Sequence, residues 1–361
     1  MTGNDAANAS QPDSGPPSRL TRRLLAIALM SLFATLLSAI LLWQITLPVG
    51  LFEDWRWYQD GPARLLADEP LYDGAYLQGP FYLRDPAIYG KFNQSPALAV
   101  ALLPYEMAVP EEFRAPVWGL ITTVMLVASF VLVWPRTAQP LTATAFALIV
   151  ALAPATWVAF RTANLACAVA LGVGLTIIGH RRNSTWLVAA GLLLAGIAKL
   201  LPAAPLVLWL IVKHREWRPV AIAVVAGAAL TSIALVYQGP SLIKDFVTAS
   251  LNQLPSDQWT NVSPSFLLSP ILGGLATPIS LAAAAALVAA ALGRRSSDGA
   301  ALLLLTTASC MIMPTTYVFW WLSPMVVAIA HYGDWIVQGL GIVFDWQPNG
   351  AQRQSAGPKL T

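Results

Sequence analysis

Residues 187–212 read L-V-A-A-G-L-L-L-A-G-I-A-K-L-L-P-A-A-P-L-V-L-W-L-I-V, and their reading decides the fold. One charge, Lys199, interrupts the run. Arg181 and Arg182 precede it, and Lys213, Arg215 and Arg218 follow. Basic flanks stay in the cytoplasm, so both ends of the stretch lie on one side of a membrane. A single helix over 185–212 would be about 42 Å long and would carry its two ends to opposite sides. A hairpin of two short apolar helices, turning near Lys199 to Pro202, meets both constraints.

The same reading extends along the chain. Charge-free runs recur at Ala115–Trp134, Thr137–Phe160, Thr162–Gly179, Pro219–Ile243, Gln258–Gly293 and Gly299–Ala330. A spanning helix needs about 20 mostly apolar residues. Leu24 to Leu47 follows Arg19, Arg22 and Arg23 and reads as the first span, going out. Helix 115–134 then comes in, 140–160 goes out and 163–179 comes in. After the hairpin, 219–237 goes out and one helix within 264–292 returns. The stretch 299–332 is one long helix or two short ones broken at Pro314. The expectation is an all-α, polytopic, multi-pass cell-membrane protein with about nine to ten transmembrane helices. Residues 1–23 read as a disordered cytoplasmic tail, 24–335 as one transmembrane domain and 336–361 as a C-terminal tail. Within that domain, 48–114 is a long outer loop. Its apolar piece Pro96–Pro110 is too short to span and reads as re-entrant or interfacial.

Composition agrees. Of 361 residues, 57% are apolar and 11% charged, with a mean hydropathy of +0.61. Soluble domains carry about 25% charged residues, so a soluble cytosolic enzyme is excluded. The net charge of +3 gives no footprint for nucleic acid. Cys167 and Cys310 both sit in apolar runs and make no disulfide scaffold. The segments assigned outside hold 8 Lys and Arg against 12 acids, and the remainder holds 13 against 6. That asymmetry has the sign the topology requires.

Four polar clusters fall on the outer side. Leu51 to Asp60, L-F-E-D-W-R-W-Y-Q-D, interleaves aromatics with Glu53, Asp54, Arg56 and Asp60. An acid pair just past a membrane helix, beside aromatics that lower the local dielectric, can be poised as a general base. An interfacial aromatic belt with solvated acids fits the same residues. Lys199 lies near bilayer depth, where a lysine costs about 2.5–3.5 kcal/mol on insertion scales. It suits an anionic partner such as a lipid-linked phosphate, or snorkels from a hairpin tip. Arg161 and Asn164, in F-R-T-A-N-L, form a second polar outer turn. Asn252, Gln253 and D-Q-W-T-N-V-S-P (Asp257–Pro264) offer Trp259 and Asn261 for stacking on and bonding to a sugar. Ser263 as N-cap before Pro264 accounts for part of that cluster. His180 and His214 lie beside basic residues and read as solvated. No phosphate-binding Gly loop, His-Glu-x-x-His, Asp-x-Asp or paired cysteines are present, so neither metal nor cofactor is expected.

The constellation resembles the C-type glycosyltransferases, and more narrowly glycosyltransferase family 87, the polyprenyl-phosphate-mannose-dependent mannosyltransferases. The matching pieces run in order: Asp54-Trp55 with Tyr58 after helix one, E-P-L-Y at Glu69–Tyr72, Phe92 to Pro96 with the apolar run to Pro104, Lys199-x-x-Pro202 after Gly191 and Gly196, and Asn261-x-Ser263. The resemblance implies a membrane enzyme moving a hexosyl group, mannosyl by analogy, from a polyprenyl-phosphate donor to a lipid or glycan acceptor outside the cytoplasm. Asp54 would be the catalytic base, with Glu53 as its fallback. Lys199, Arg161 and Asn164 would hold the donor phosphate, and Trp259, Asn261 and Tyr58 the sugar or acceptor. A transporter or flippase for a lipid-linked or small anionic substrate is the alternative, with Lys199 and Arg161 lining a path. Transporters commonly show repeat symmetry, and no internal repeat is visible.

Overall fold

The computed structural model describes residues 51–72, 74–82, 90–135, 140–254, 261–293, 296–313 and 316–344. The first span, Trp259, Pro314, the N-terminal tail and residues 345–361 lie outside these residues. All described regular structure is helical. The loop contributes α1 (Trp55–Leu66), α2 (Gly74–Leu77) and α3 (Pro96–Ala108). Then follow α4 (Glu111–Val133), α5 (Pro140–Leu152), α6 (Pro154–Thr162), α7 (Ala166–Arg181) and α8 (Thr185–Ala198). The second half comprises α9 (Leu200–Leu208), α10 (Trp217–Gln238), α11 (Ser241–Asn252), α12 (Pro264–Leu272), α13 (Ala276–Leu292), α14 (Asp298–Ile312) and α15 (Leu322–Phe344).

The 185–212 stretch folds as the expected hairpin. Lys199 is extended (φ −164°, ψ 123°) and ends α8, and α9 starts at Leu200. The return limb continues as one π-helical turn, Trp209–His214. Its far end comes back to where α8 began, with Glu216 Oε1 2.8 Å from His180 Nδ1. The two ends of the bundle therefore differ in kind. A basic end carries Arg181, Arg182, Lys213, Arg215 and Arg218. The opposite end carries Asn164 and Lys199, because α7 runs away from Asn164 and α8 runs back.

Helices α7 and α8 form the tightest pair. A Cβ on Gly172 would stand 2.5 Å from the Gly191 carbonyl oxygen, and one on Gly191 would stand 2.6 Å from that of Gly172. Two glycines face to face let the backbones touch, the small-residue packing that associates helices in lipid. Around this pair lie α4, α10 and α15. On α4 the stripe Leu120, Val124, Val127 and Val131 faces outward, 55% exposed or more, where a soluble helix would place charge.

Three described helices are long and apolar enough to cross a membrane: α4, α10 and Pro264–Leu292. A fourth span counts if α5 and α6 are one broken segment, and five more apolar helices are shorter. The sequence reading takes 140–160 as a single helix. Instead the axis bends by 59° between α5 and α6, because Pro154 has no N–H to continue the ladder and disfavours the helical region at Ala153. The open question over 299–332 resolves to two helices. α14 ends at Ile312, and Val318–Trp321 makes a 3-10 turn before α15. Helix α4 starts at Glu111, four residues early, with Glu111 and Glu112 in the first turn where the helix dipole favours acids. Helix α15 runs through residue 335, where the sequence reading ends the domain, to Phe344. Both cysteines are buried and free.

Candidate active site

Residues 52–54 run beside the α6–α7 turn before α1 begins. The Phe52 amide donates to the Arg161 carbonyl at 2.7 Å, and the Asp54 amide to that of Thr162 at 3.1 Å. Phe52 takes the left-handed φ of +57°. Gly119 on α4 makes room for its ring, since a Cβ there would lie 2.4 Å from a ring carbon. The α6–α7 turn is shaped by a second left-handed residue, Ala163 (φ +55°), whose carbonyl accepts the Trp118 indole N–H at 2.9 Å.

This pairing places Asp54 at the N-terminus of α1 with no side-chain capping bond. Its Oδ2 instead accepts Asn164 Nδ2 at 2.6 Å. Asn164 is 5% exposed. Its Nδ2 also reaches the Tyr58 hydroxyl at 3.2 Å, and its Oδ1 accepts the Ala166 amide at 2.7 Å, starting α7. The Tyr58 oxygen accepts the Leu165 amide at 3.3 Å. Asp54 and Tyr58 lie four residues apart on one face of α1. Burial, then the charge of Asp54, holds the Tyr58 phenol well above its ordinary range, so it stays neutral. Trp55, Tyr105 and Trp118 pack beneath, with Trp55 5.1 Å from Tyr105 and 5.3 Å from Trp118. Glu53 is half-buried beside Asp54.

Lys199 sits at the same end of the bundle. Its Nζ donates to Gln94 Oε1 at 3.4 Å and lies 5.9 Å from the centre of the Trp320 ring, within cation–π range. Among the described residues no carboxylate lies within ion-pair distance of it. The loop holds Gln94 in place. Asp60 on α1 accepts the Phe92 amide at 2.8 Å, the Tyr76 hydroxyl donates to the Lys91 carbonyl at 2.8 Å, and the Tyr72 hydroxyl donates to that of Gln94 at 2.8 Å. Ser95 ties this segment to the hairpin tip by donating to the Ile197 carbonyl at 3.0 Å. The 3-10 turn carrying Trp320 packs against α6, whose last turn carries Arg161.

The structure thus brings Asp54, Tyr58 and Asn164 into one network and sets Lys199 and Arg161 at the same end. Asn164, grouped by the sequence reading with the phosphate-binding cations, has its amide on Asp54, Tyr58 and the α7 backbone. Asn261 is fully buried, and its Oδ1 accepts the amides of Ser263 and Thr316 at 3.0 and 3.1 Å. It braces the connection that carries Trp320. Ser263 caps α12 as expected, accepting the Phe266 amide at 3.3 Å. Trp259 lies outside the described residues. Sequence reasoning missed Gln94, Trp118 and Trp320. Gln94 lay inside the Phe92–Pro96 match, and no spacing pointed to the two tryptophans.

A comparison with protein families matches glycosyltransferase family 87 over residues 92–324, more than half of the chain. The matched span contains Gln94, Arg161, Asn164, Lys199, Asn261 and Trp320, while Glu53, Asp54 and Tyr58 precede it. No curated protein and no solved structure matches the chain.

Proposed function

The chain belongs to glycosyltransferase family 87, and from that premise we propose that its Asp54–Lys199 end transfers a hexosyl group from a polyprenyl-phosphate donor. Glycosyltransferase activity in a membrane setting is what the family indicates, and it outweighs the transporter reading. The donor lipid lies in the bilayer beside the α8–α9 tip, so anchoring supplies the positioning that solution chemistry lacks. Mannose is the sugar by analogy, and the basic residues at the far end support an extracytoplasmic face for the site.

Asp54 takes the proton from an acceptor hydroxyl as that oxygen attacks the anomeric carbon opposite the phosphate, so configuration inverts. Asn164 orients the carboxylate and Tyr58 stays protonated beneath it. Lys199 stabilises the phosphate as its bond to the sugar breaks and negative charge collects there. Arg161 supports it from α6. The observation that carries this reading is the Asp54–Asn164 bond, 2.6 Å long. It fastens the acid of the loop to the family-matched core at the end where Lys199 has no described acidic partner. The test is incubation of purified protein with radiolabelled polyprenyl-phosphate mannose and a lipid extract. Label should move to a new product with wild type and not with Asp54→Asn. Label that changes only its membrane side would overturn the transferase reading.

A further inference from the structure

The basic end holds a second cluster, independent of the transfer chemistry. His180 closes α7, His214 closes the π-helical turn and Glu216 precedes α10. One ligand atom from each lies within 4.8 Å of the others. We propose that these three residues bind a first-row divalent cation, zinc foremost.

Solvated histidines, as the sequence suggests, would stand apart. These are packed ring to ring, with centroids 4.1 Å apart, and both lie against Trp209, at 4.8 Å for His180 and 4.7 Å for His214. Trp209 is 1% exposed and fixes their orientation. The π turn starts at Trp209 and ends at His214. Such turns are rare and concentrate at functional sites. Glu216 Oε1 already meets His180 Nδ1 at 2.8 Å. His214 Nε2 is buried with no hydrogen-bond partner, and the Asp298 carboxylate stands 3.6 Å from it.

Two neutral imidazoles and a carboxylate are the donor set of zinc and its neighbours. With bonds of about 2.0–2.1 Å, tetrahedral ligand atoms lie about 3.3 Å apart, which small side-chain rotations here would reach. Two neighbouring cations are engaged by backbone carbonyls. Lys213 donates to the Gly293 carbonyl at 2.8 Å, and Arg181 to that of Ala330 at 2.6 Å. Glu216 and Asp298 offset a dication's charge. A cavity of about 380 Å³ reaches the His180 and Glu216 side of the cluster and leaves room for water ligands, with Arg215 and Arg218 also in its lining. A bound ion would lock the end of α7, the π turn and the start of α10 together.

The test uses the full chain in detergent, carrying no polyhistidine tag, stripped with chelator and dialysed against zinc chloride. Wild type should retain one zinc per chain at micromolar free zinc and melt several degrees higher with zinc than without. Cobalt chloride should give visible d–d bands of a low-coordinate nitrogen–oxygen site. His214→Gln and Glu216→Gln should each weaken zinc retention at least tenfold, and Asn183→Ala should not. Each variant is compared at matched zinc-free melting temperature, so a folding defect is not read as lost binding. A wild type that retains no zinc, or zinc retained equally by both ligand variants, overturns the proposal.

Discussion

Asn164 Nδ2 stands 2.6 Å from Asp54 Oδ2 although 110 residues separate them in sequence. The bond links the loop's acid to the turn between α6 and α7. It also makes Asn164 a positioning residue for Asp54 in the proposed reaction. Asp54→Asn should abolish transfer while donor binding persists, since a general base contributes about 10²–10⁴ in rate. Asn164→Ala should lower kcat by about 10–100-fold with little change in donor KM, as a bond to a charged group contributes about 1.5–3 kcal/mol. Initial rates over a donor series check both, and wild-type turnover by Asp54→Asn rejects Asp54 as the base.

Lys199 should act on the donor. Lys199→Gln removes the cation but keeps length, and should raise donor KM and lower kcat together, about 10–100-fold in kcat/KM. Lys199→Arg should restore only part, because a planar guanidinium does not replace a compact ammonium. Trp320→Leu should give a smaller loss of the same kind. An effect confined to acceptor KM would move Lys199 off the donor.

Alkaline stability follows from the buried phenols. Burial, then nearby acids, raises Tyr58 and Tyr72 above the usual phenol range. A group whose folded pKa is raised contributes stability that is full below its unfolded pKa, near 10, and is lost as pH rises towards the folded value. Melting temperature should therefore fall with pH above about 10. The Tyr58→Phe, Tyr72→Phe double variant should show a shallower fall, although it is less stable at neutral pH by about 1 kcal/mol per lost hydrogen bond. Equal slopes would refute the account.

The α7–α8 contact supplies its own control. Gly191→Ala drives a Cβ into the Gly172 carbonyl and should destabilise by about 1–3 kcal/mol. Gly196 lies on the same helix, and a Cβ added there would meet nothing within 4 Å. Gly196→Ala should be neutral or stabilising by up to about 1 kcal/mol through helix propensity. Thermal unfolding in detergent separates the two, and the reverse ranking would contradict the packing described.

The elements were legible where the cause is local. Lys199 breaks its apolar run, Ser263 and Pro264 start α12, and the arginine clusters mark the turns of one end. The bend at Ala153 was legible in principle from Pro154 and was overridden by the length of the apolar run. The break after α14 could not be decided, because a proline permits a break without requiring one.

Charge, apolar run length and helix punctuation are properties of neighbouring residues, so the chain alone determined an all-helical membrane protein, its hairpin at Lys199 and the residues worth suspecting. Side-chain partnership depends on which helices touch and in what rotation, and small apolar residues at contacts such as Gly172–Gly191 carry no signal of their partner. Only the packed bundle decided that Asn164 serves Asp54, that Gln94 and Trp320 face Lys199, and that His180 and His214 meet at the far end.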